Sequence, residues 1–169
     1  MGQLALERLS DLLEDHAAAL ELFARQWCAT PEDVVQESFL KLVQQPEAPE
    51  NVVAWLYRVV RNGAISAARS ADRRRRHEAV AAERTHSWFE PSPGEALDGR
   101  AATDALRELP NDQREIVVAH LWGGLTFDEI AEMTSCSAAT AYRRYVAGLT
   151  TLRERLGVEC PTKSTTKKI

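Results

Sequence analysis

Glycine is scarce in this 169-residue chain, with eight in all, and no alternating apolar–polar run of useful length is present. The missing period-2 pattern excludes a sheet-built fold and leaves an all-helical one. No stretch approaches the roughly 20 apolar residues of a membrane span. The N-terminus lacks the basic and apolar segments of a signal peptide, so a cytoplasmic protein with no membrane attachment is expected. Cysteine is equally sparse: Cys28, Cys136 and Cys160 are odd in number and far apart. That spacing excludes a disulfide framework, and no CxxC or HxxxH pattern offers a metal site. His16, His77, His86 and His120 are scattered and read as surface or core residues. No phosphate-binding glycine loop and no nucleophile elbow appears, so no catalytic residue, cofactor or enzyme activity is expected.

Charge is present but unevenly spread. The net charge is -4, yet residues 58–78 carry 7 basic and 2 acidic groups, and residues 143–169 again 7 and 2. Residues 1–57 are the opposite, with 3 basic and 10 acidic groups. Two basic blocks separated by acidic sequence suggest two contacts with nucleic acid on one chain, each competing with the plainer reading of a solvated charge run.

Helical periodicity accounts for most of the chain. Leu6, Leu9, Leu13, Leu20, Phe23 and Trp27 predict a helix over about residues 3–27. "TPED" from Thr30 predicts a threonine cap, proline at the first position and acids in the first turn. The helix that follows places Val35, Phe39, Leu42 and Val43 inward and Asp33, Gln36, Glu37 and Lys41 on a polar stripe. A third helix starts near Asn51. Val52, Leu56, Val59, Val60 and Gly63 are its apolar stripe; Trp55, Arg58, Asn62, Ser66 and Arg69 form a second one. An aromatic ring with arginines and an amide can stack on and read exposed bases. Trp55 as plain core is an equal alternative. "HSWFEPSPGEALDG", His86 to Gly99, reads as a linker, on which Trp88 and Phe89 are placed to dock.

Residues 101–109 and 112–122 predict two further helices, split by Pro110. "LTFDEIAEMTSCSAATAYRRYVAGL" then reads as a helix-turn-helix. Thr126 and Glu129 form a capping box, Leu125 and Ile130 a hydrophobic staple, and Ser137 caps the second helix. Ala141, Tyr145, Leu149, Leu152 and Leu156 make its buried stripe. Ala139, Thr140, Arg143 and Ala147 lie opposite, with Arg144 on the flank. Small residues beside arginines suit a helix entering the major groove; an ordinary helical hairpin with a solvated arginine face explains the local pattern equally well. Asp128 and Glu129 oppose the helix dipole and need no catalytic role. Together these elements give a four-helix C-terminal domain. The polar, basic tail reads as disordered.

In order along the chain, "PEDVVQESFLKL", "AWLYRVVRNGAISAARS" and "LRELPNDQREIVVAHLWGGLTFDEIAEMTSCSAATAYRRYVAGLTTLRERL" resemble segments of the extracytoplasmic-function (ECF) group of bacterial sigma factors, in the sigma-70 family. The resemblance implies two small helical domains. Residues 1–84 would bind polymerase and the -10 element, 85–100 would be the linker, and 101–157 would bind the -35 element through the helix-turn-helix. Residues 158–169 would be a tail. It further implies that Asp33, Gln36 and Glu37 contact core RNA polymerase. Trp55, Arg58, Arg61, Asn62, Ser66, Arg69, Arg73 and Arg74 would meet the melted -10 strand, with Asn62 reading a flipped-out base. Ser137, Ala139, Thr140, Tyr142, Arg143 and Arg144 would meet -35 promoter DNA. The resemblance leaves room for an anti-sigma factor as a further partner. Ser135 stands where the family usually has glycine, Tyr142 where a basic residue is common, and Ser66 where Asp or Asn is typical. A one-component helix-turn-helix repressor and a polymerase-binding adaptor are the rival readings. The repressor leaves the Asp33–Glu37 stripe unexplained and the adaptor leaves the basic blocks unexplained.

Overall fold

The structure, a computed structural model, describes residues 6–77, 102 and 104–157, and every regular element among them is helical. Helix α1 is Leu6–Ala24. It stops short of the expected residue 27, because the chain turns there: the Trp27 N–H bonds the Ala24 carbonyl at 3.0 Å. Leu20 and Phe23 are fully buried, while Leu13 is exposed.

Helix α2, Pro31–Val43, has proline in its first turn with Glu32 and Asp33, as the sequence predicts. Its expected threonine cap does not form. Thr30 occupies the cap position with φ -123° and ψ 66°, and its hydroxyl makes no capping bond. A capping oxygen is aimed from extended backbone, which this is not. The first-turn acids are left to oppose the dipole. Val35, Phe39 and Leu42 face inward, but Val43 is exposed. Val34 and Ser38 take the remaining inward positions, and the Ser38 hydroxyl donates to the Val34 carbonyl at 2.7 Å.

Helix α3, Val52–His77, runs 26 residues, about 39 Å at the α-helical rise. Its first turn is capped by Asn51, whose side-chain oxygen accepts from the Ala54 N–H at 3.0 Å. Leu56, Val60 and Ala64 are buried against α1 and α2.

After a helical turn over residues 104–107, α4 spans Asn111–Leu121, α5 Phe127–Thr134 and α6 Ala138–Leu156. Both predicted caps of the helix-turn-helix are present. Thr126 and Glu129 form the reciprocal box, and Ser137 Oγ accepts from the Thr140 N–H at 3.2 Å. Leu125 and Ile130 are buried at the staple. The turn passes through Ser135 at φ 56°, a left-handed conformation that costs a side-chain-bearing residue about 1–2 kcal/mol relative to glycine. On α6, Ala141 is buried and Tyr145, Leu149 and Leu152 are half-buried, while Leu156 is exposed at the helix end. Gly148 completes the inward face. A Cβ there would stand 2.9 Å from Val117 Cγ2, so the absence of a side chain lets α6 approach α4.

The two helical groups share one core. Leu20, Phe23, Leu56, Tyr57 and Val60 from α1 and α3 pack in the same cluster as Ile116, Val118, Ala119, Leu125, Ile130 and Met133 from the second group. Leu106, Leu109 and Val117 form a satellite cluster, against which Leu22, Tyr145 and Leu152 pack. The linker with Trp88 and Phe89, the tail and the domain boundaries at 84/85, 100/101 and 157/158 lie outside the described residues.

Candidate polymerase and nucleic-acid surfaces

The polar stripe of α2 is wholly exposed but divided. Asp33 and Gln36 edge a groove of about 460 Å³ between α1 and α2, floored by Leu13, Ala17, Phe39 and Leu40. Glu37 lies around the helix, in a cleft of about 440 Å³ between α2 and α3. There it pairs with Lys41 at 2.9 Å. The same cleft holds Asn62, Ser66 and Ser70 on its α3 wall. An amide and two hydroxyls lining a concave polar surface can donate to and accept from the edge of an unstacked base.

The rest of the α3 stripe has three different surroundings. Trp55 is half-buried and Arg58 exposed. Both line a cleft of about 590 Å³ with Asn51 and, from α5, Glu129, Glu132 and Met133. Arg61 is turned inward: its Nε donates to Glu115 Oε2 at 2.9 Å, and its guanidinium sits 5.8 Å from the Trp27 ring centroid. Arg69, Arg73 and Arg74 are exposed on the last turns of α3. Arg73 donates to Ser70 Oγ at 3.1 Å, and neighbouring Arg75 pairs with Asp72. The structure thus groups Asn62 with Ser66, and Trp55 with Arg58, and separates Arg61 from both pairs.

At the start of α6 the expected group stays together. Ser137 Oγ and Thr140 Oγ1 are 2.9 Å apart, and Arg143 Nη2 donates to Thr140 Oγ1 at 3.2 Å. Ser137, Ala139, Tyr142 and Arg143 are exposed, with Thr140 half-buried between them. The Tyr142 ring stands edge-on to Phe127 at 5.4 Å and is itself exposed. Arg144 differs. Its Nε pairs with Asp112 Oδ2 at 3.1 Å, at the start of α4. Arg143 is therefore the arginine directed outward with the small residues, and Arg144 is held on the flank.

Three positions at the contact between the helical groups have no counterpart in the sequence-level reading. Glu115 is buried on α4, and burial raises its carboxyl above the ordinary glutamate value, the bond from Arg61 offsetting this in part. Tyr57 is fully buried with an unpartnered hydroxyl, and burial alone pushes its phenol up. Gly123 faces that ring: a Cβ on it would meet Tyr57 Cζ at 2.7 Å. A glutamate inside the apolar run "REIVV" was the available signal for the first; Tyr57 and Gly123 carry none, because only the fold brings them together.

Comparison with known proteins follows the same division. The Sigma-70 region 2 family matches residues 12–74, and the Sigma-70 region 4 family matches residues 99–152. The chain is 31% identical to the RNA polymerase sigma factor CarQ of Myxococcus xanthus, over 90% of this chain and 91% of that one. It is 31% identical to the ECF RNA polymerase sigma factor SigL of Mycobacterium tuberculosis, over 87% and 89%. Against the probable RNA polymerase sigma factor RfaY of Xanthomonas campestris the identity is 28%, and the match spans only 41% of that longer relative. Among solved structures, the sigma factor RpoE of Bartonella quintana, in complex with the anti-sigma factor NepR, superposes with a TM-score of 0.69 at 26% identity. That match covers 89% of this chain and 97% of RpoE.

Proposed function

The chain belongs to the sigma-70 family, in its ECF group, and from that premise we propose how its surfaces divide the work of starting transcription. It directs initiation by binding core RNA polymerase and recognising promoter DNA. Residues 1–84 serve polymerase and the -10 element, 85–100 connect, and 101–157 serve the -35 element, with 158–169 as a tail. The chain supplies recognition and the polymerase supplies catalysis, so both work where the chromosome is, in the cytoplasm. Among the described residues no helix is long and apolar enough to cross a membrane.

Asp33, Gln36 and Glu37 bind core polymerase. Asn62 and Ser66 take one unstacked base of the -10 strand, while Trp55, Arg58, Arg61, Arg69, Arg73 and Arg74 hold the strand by stacking and phosphate contact. Ser137, Ala139, Thr140, Tyr142 and Arg143 enter the major groove at -35, with Arg144 at its edge. An acidic chain is suited to this division, because its net charge of -4 limits sequence-independent binding by the free protein. Likeness to RpoE, which was solved with NepR, supports an anti-sigma factor as a regulatory partner.

The observation that carries the assignment is the presence of both surfaces in one chain: an exposed Asn62–Ser66 cleft on α3 and an exposed, doubly capped helix-turn-helix. A repressor needs only the second. The test is retention of core polymerase on the immobilised chain, followed by run-off transcription. Retention with promoter-dependent transcripts is expected. Palindrome binding as a dimer without polymerase retention would favour the repressor.

A further inference from the structure

Helix α6 keeps two large apolar side chains out of the core. Tyr142 is 54% exposed and Val146 41%. Four residues apart, they are neighbours on the helix surface, with about 5–6 Å between their Cβ atoms. The buried residues of the helix, Ala141 and Gly148, belong to another face. Three residues before Tyr142, the exposed Ala139 continues the strip with a side chain short enough to let a partner come close. The surroundings are polar and cationic. Arg143 and the Ser137 and Thr140 hydroxyls stand beside the strip, and α6 carries no acidic residue before Glu154. Such a setting suits a polyanion better than an apolar protein partner. The Tyr142 ring is also backed by other rings. Phe127, edge-on to it at 5.4 Å, stacks on His120 at 4.5 Å and meets Tyr145 at 5.4 Å. His120 Nδ1 in turn donates to the Leu125 carbonyl at 2.7 Å. An exposed tyrosine with only two side-chain torsions, resting on tied-down neighbours, loses little freedom when it binds.

We propose that Tyr142 and Val146 form a thymine-reading clamp at -35: the C5-methyl group of one promoter thymine seats between the ring and the valine. The proposal rests on the reading of α6 as the major-groove helix. Base edges in the major groove present hydrogen-bonding groups, and thymine alone adds a methyl. Val146 has no hydrogen-bonding group in its side chain, so a base edge rewards it only through that methyl. An amino group or ring nitrogen at the same place would lose water and gain no bond. Arg143, on the adjoining face, is left to a guanine edge or a phosphate. The clamp therefore sets one base pair of the -35 element that no arginine sets.

The test uses holoenzyme assembled from the full chain and core polymerase. A -35 element is first recovered by run-off selection from a promoter pool randomised across that element. Each of its thymines, on either strand, is then replaced singly by deoxyuridine, which removes the methyl and keeps every hydrogen-bonding group. At one position the replacement should lower transcript yield about fourfold at limiting holoenzyme. That factor is the transfer of one methyl group, about 0.8 kcal/mol, converted at about 1.4 kcal/mol per tenfold. Tyr142→Ala and Val146→Ala should remove the difference between the two templates. Tyr142→Phe, which keeps the ring, should retain it. Circular dichroism checks the folding of the variants, and the deoxyuridine comparison on the wild type needs none of them. Equal yields from thymine and deoxyuridine templates at every position, or a recovered element without thymine, overturn the proposal. Loss of the difference in Tyr142→Phe assigns the reading to the hydroxyl and overturns the clamp. Equal yields together with lost polymerase retention in the alanine variants make the strip a protein contact, which also overturns it. Failure of the underlying reading of α6 looks different: exchanging whole base pairs across the element, and Arg143→Ala, would then leave transcription unchanged.

Discussion

Arg143 and Arg144 are adjacent in sequence and differ in consequence. Arg143 faces outward beside Thr140, whereas Arg144 is tied to Asp112. Arg143→Ala should cost about 1–3 kcal/mol of discrimination between promoters if it contacts a base edge. Arg144→Ala should weaken all sequences alike and cost no more than about 1 kcal/mol of stability, the usual limit for a solvent-exposed pair. Run-off transcription on promoters varied at -35 separates the two. At Ser135, φ 56° strains a residue with a side chain, so Ser135→Gly should raise the melting temperature, with a gain of about 1 kcal/mol, and leave -35 recognition unchanged. Glu115 adds a pH dependence. Burial makes it hold its proton more tightly in the folded chain, against the lowering influence of Arg61 and Arg144 and with Asp112 raising it. Folding therefore takes up a proton just above the ordinary glutamate pKa. Its contribution to stability is largest below that value and shrinks as pH rises through the raised one. Thermal melts of the wild type and Glu115→Gln from pH 4 to 7 should differ in slope in that window, the wild type losing more stability with rising pH.

At the scale of the helix, legibility depended on whether an element's signals were local. The Thr126–Glu129 box and the Ser137 cap were readable because each bond spans three residues, and both formed. "TPED" carries the same local signal, yet Thr30 makes no capping bond, because backbone torsion, which composition does not set, aims the oxygen. Val43 and Leu156 satisfied the helical period and ended exposed, since the last turn of a helix outruns its neighbour. Thr126→Ala should cost about 1 kcal/mol, seen as a lower melting temperature. With no Thr30 bond to support, Asp33→Ala should cost only a dipole contribution of about 0.3–1 kcal/mol. It should nonetheless reduce polymerase retention, and Glu37→Ala should do the same. Normal retention by both variants would remove α2 from the polymerase surface.

For the whole molecule, the order of helices and the all-helical class were readable from periodicity, and the family match follows that order. The shared core was not. Phe23 against Tyr57 at 4.9 Å and Tyr57 against Gly123 are contacts made by tertiary packing, and such partners leave no periodic trace. For the same reason Arg61 was legible as a basic residue of α3 but not as the partner of Glu115. The central claim is that this chain recognises a promoter and lets polymerase open it, with Asn62 reading one unpaired base. Permanganate reactivity of -10 thymines measures this most directly, on duplex and on pre-melted promoters. The holoenzyme should open the duplex where core polymerase alone does not. Asn62→Ala should lower that reactivity and relax the preference at one position, and a pre-melted template should restore opening but not the preference. Duplex opening by Asn62→Ala at wild-type level, with unchanged base preference, would contradict the account.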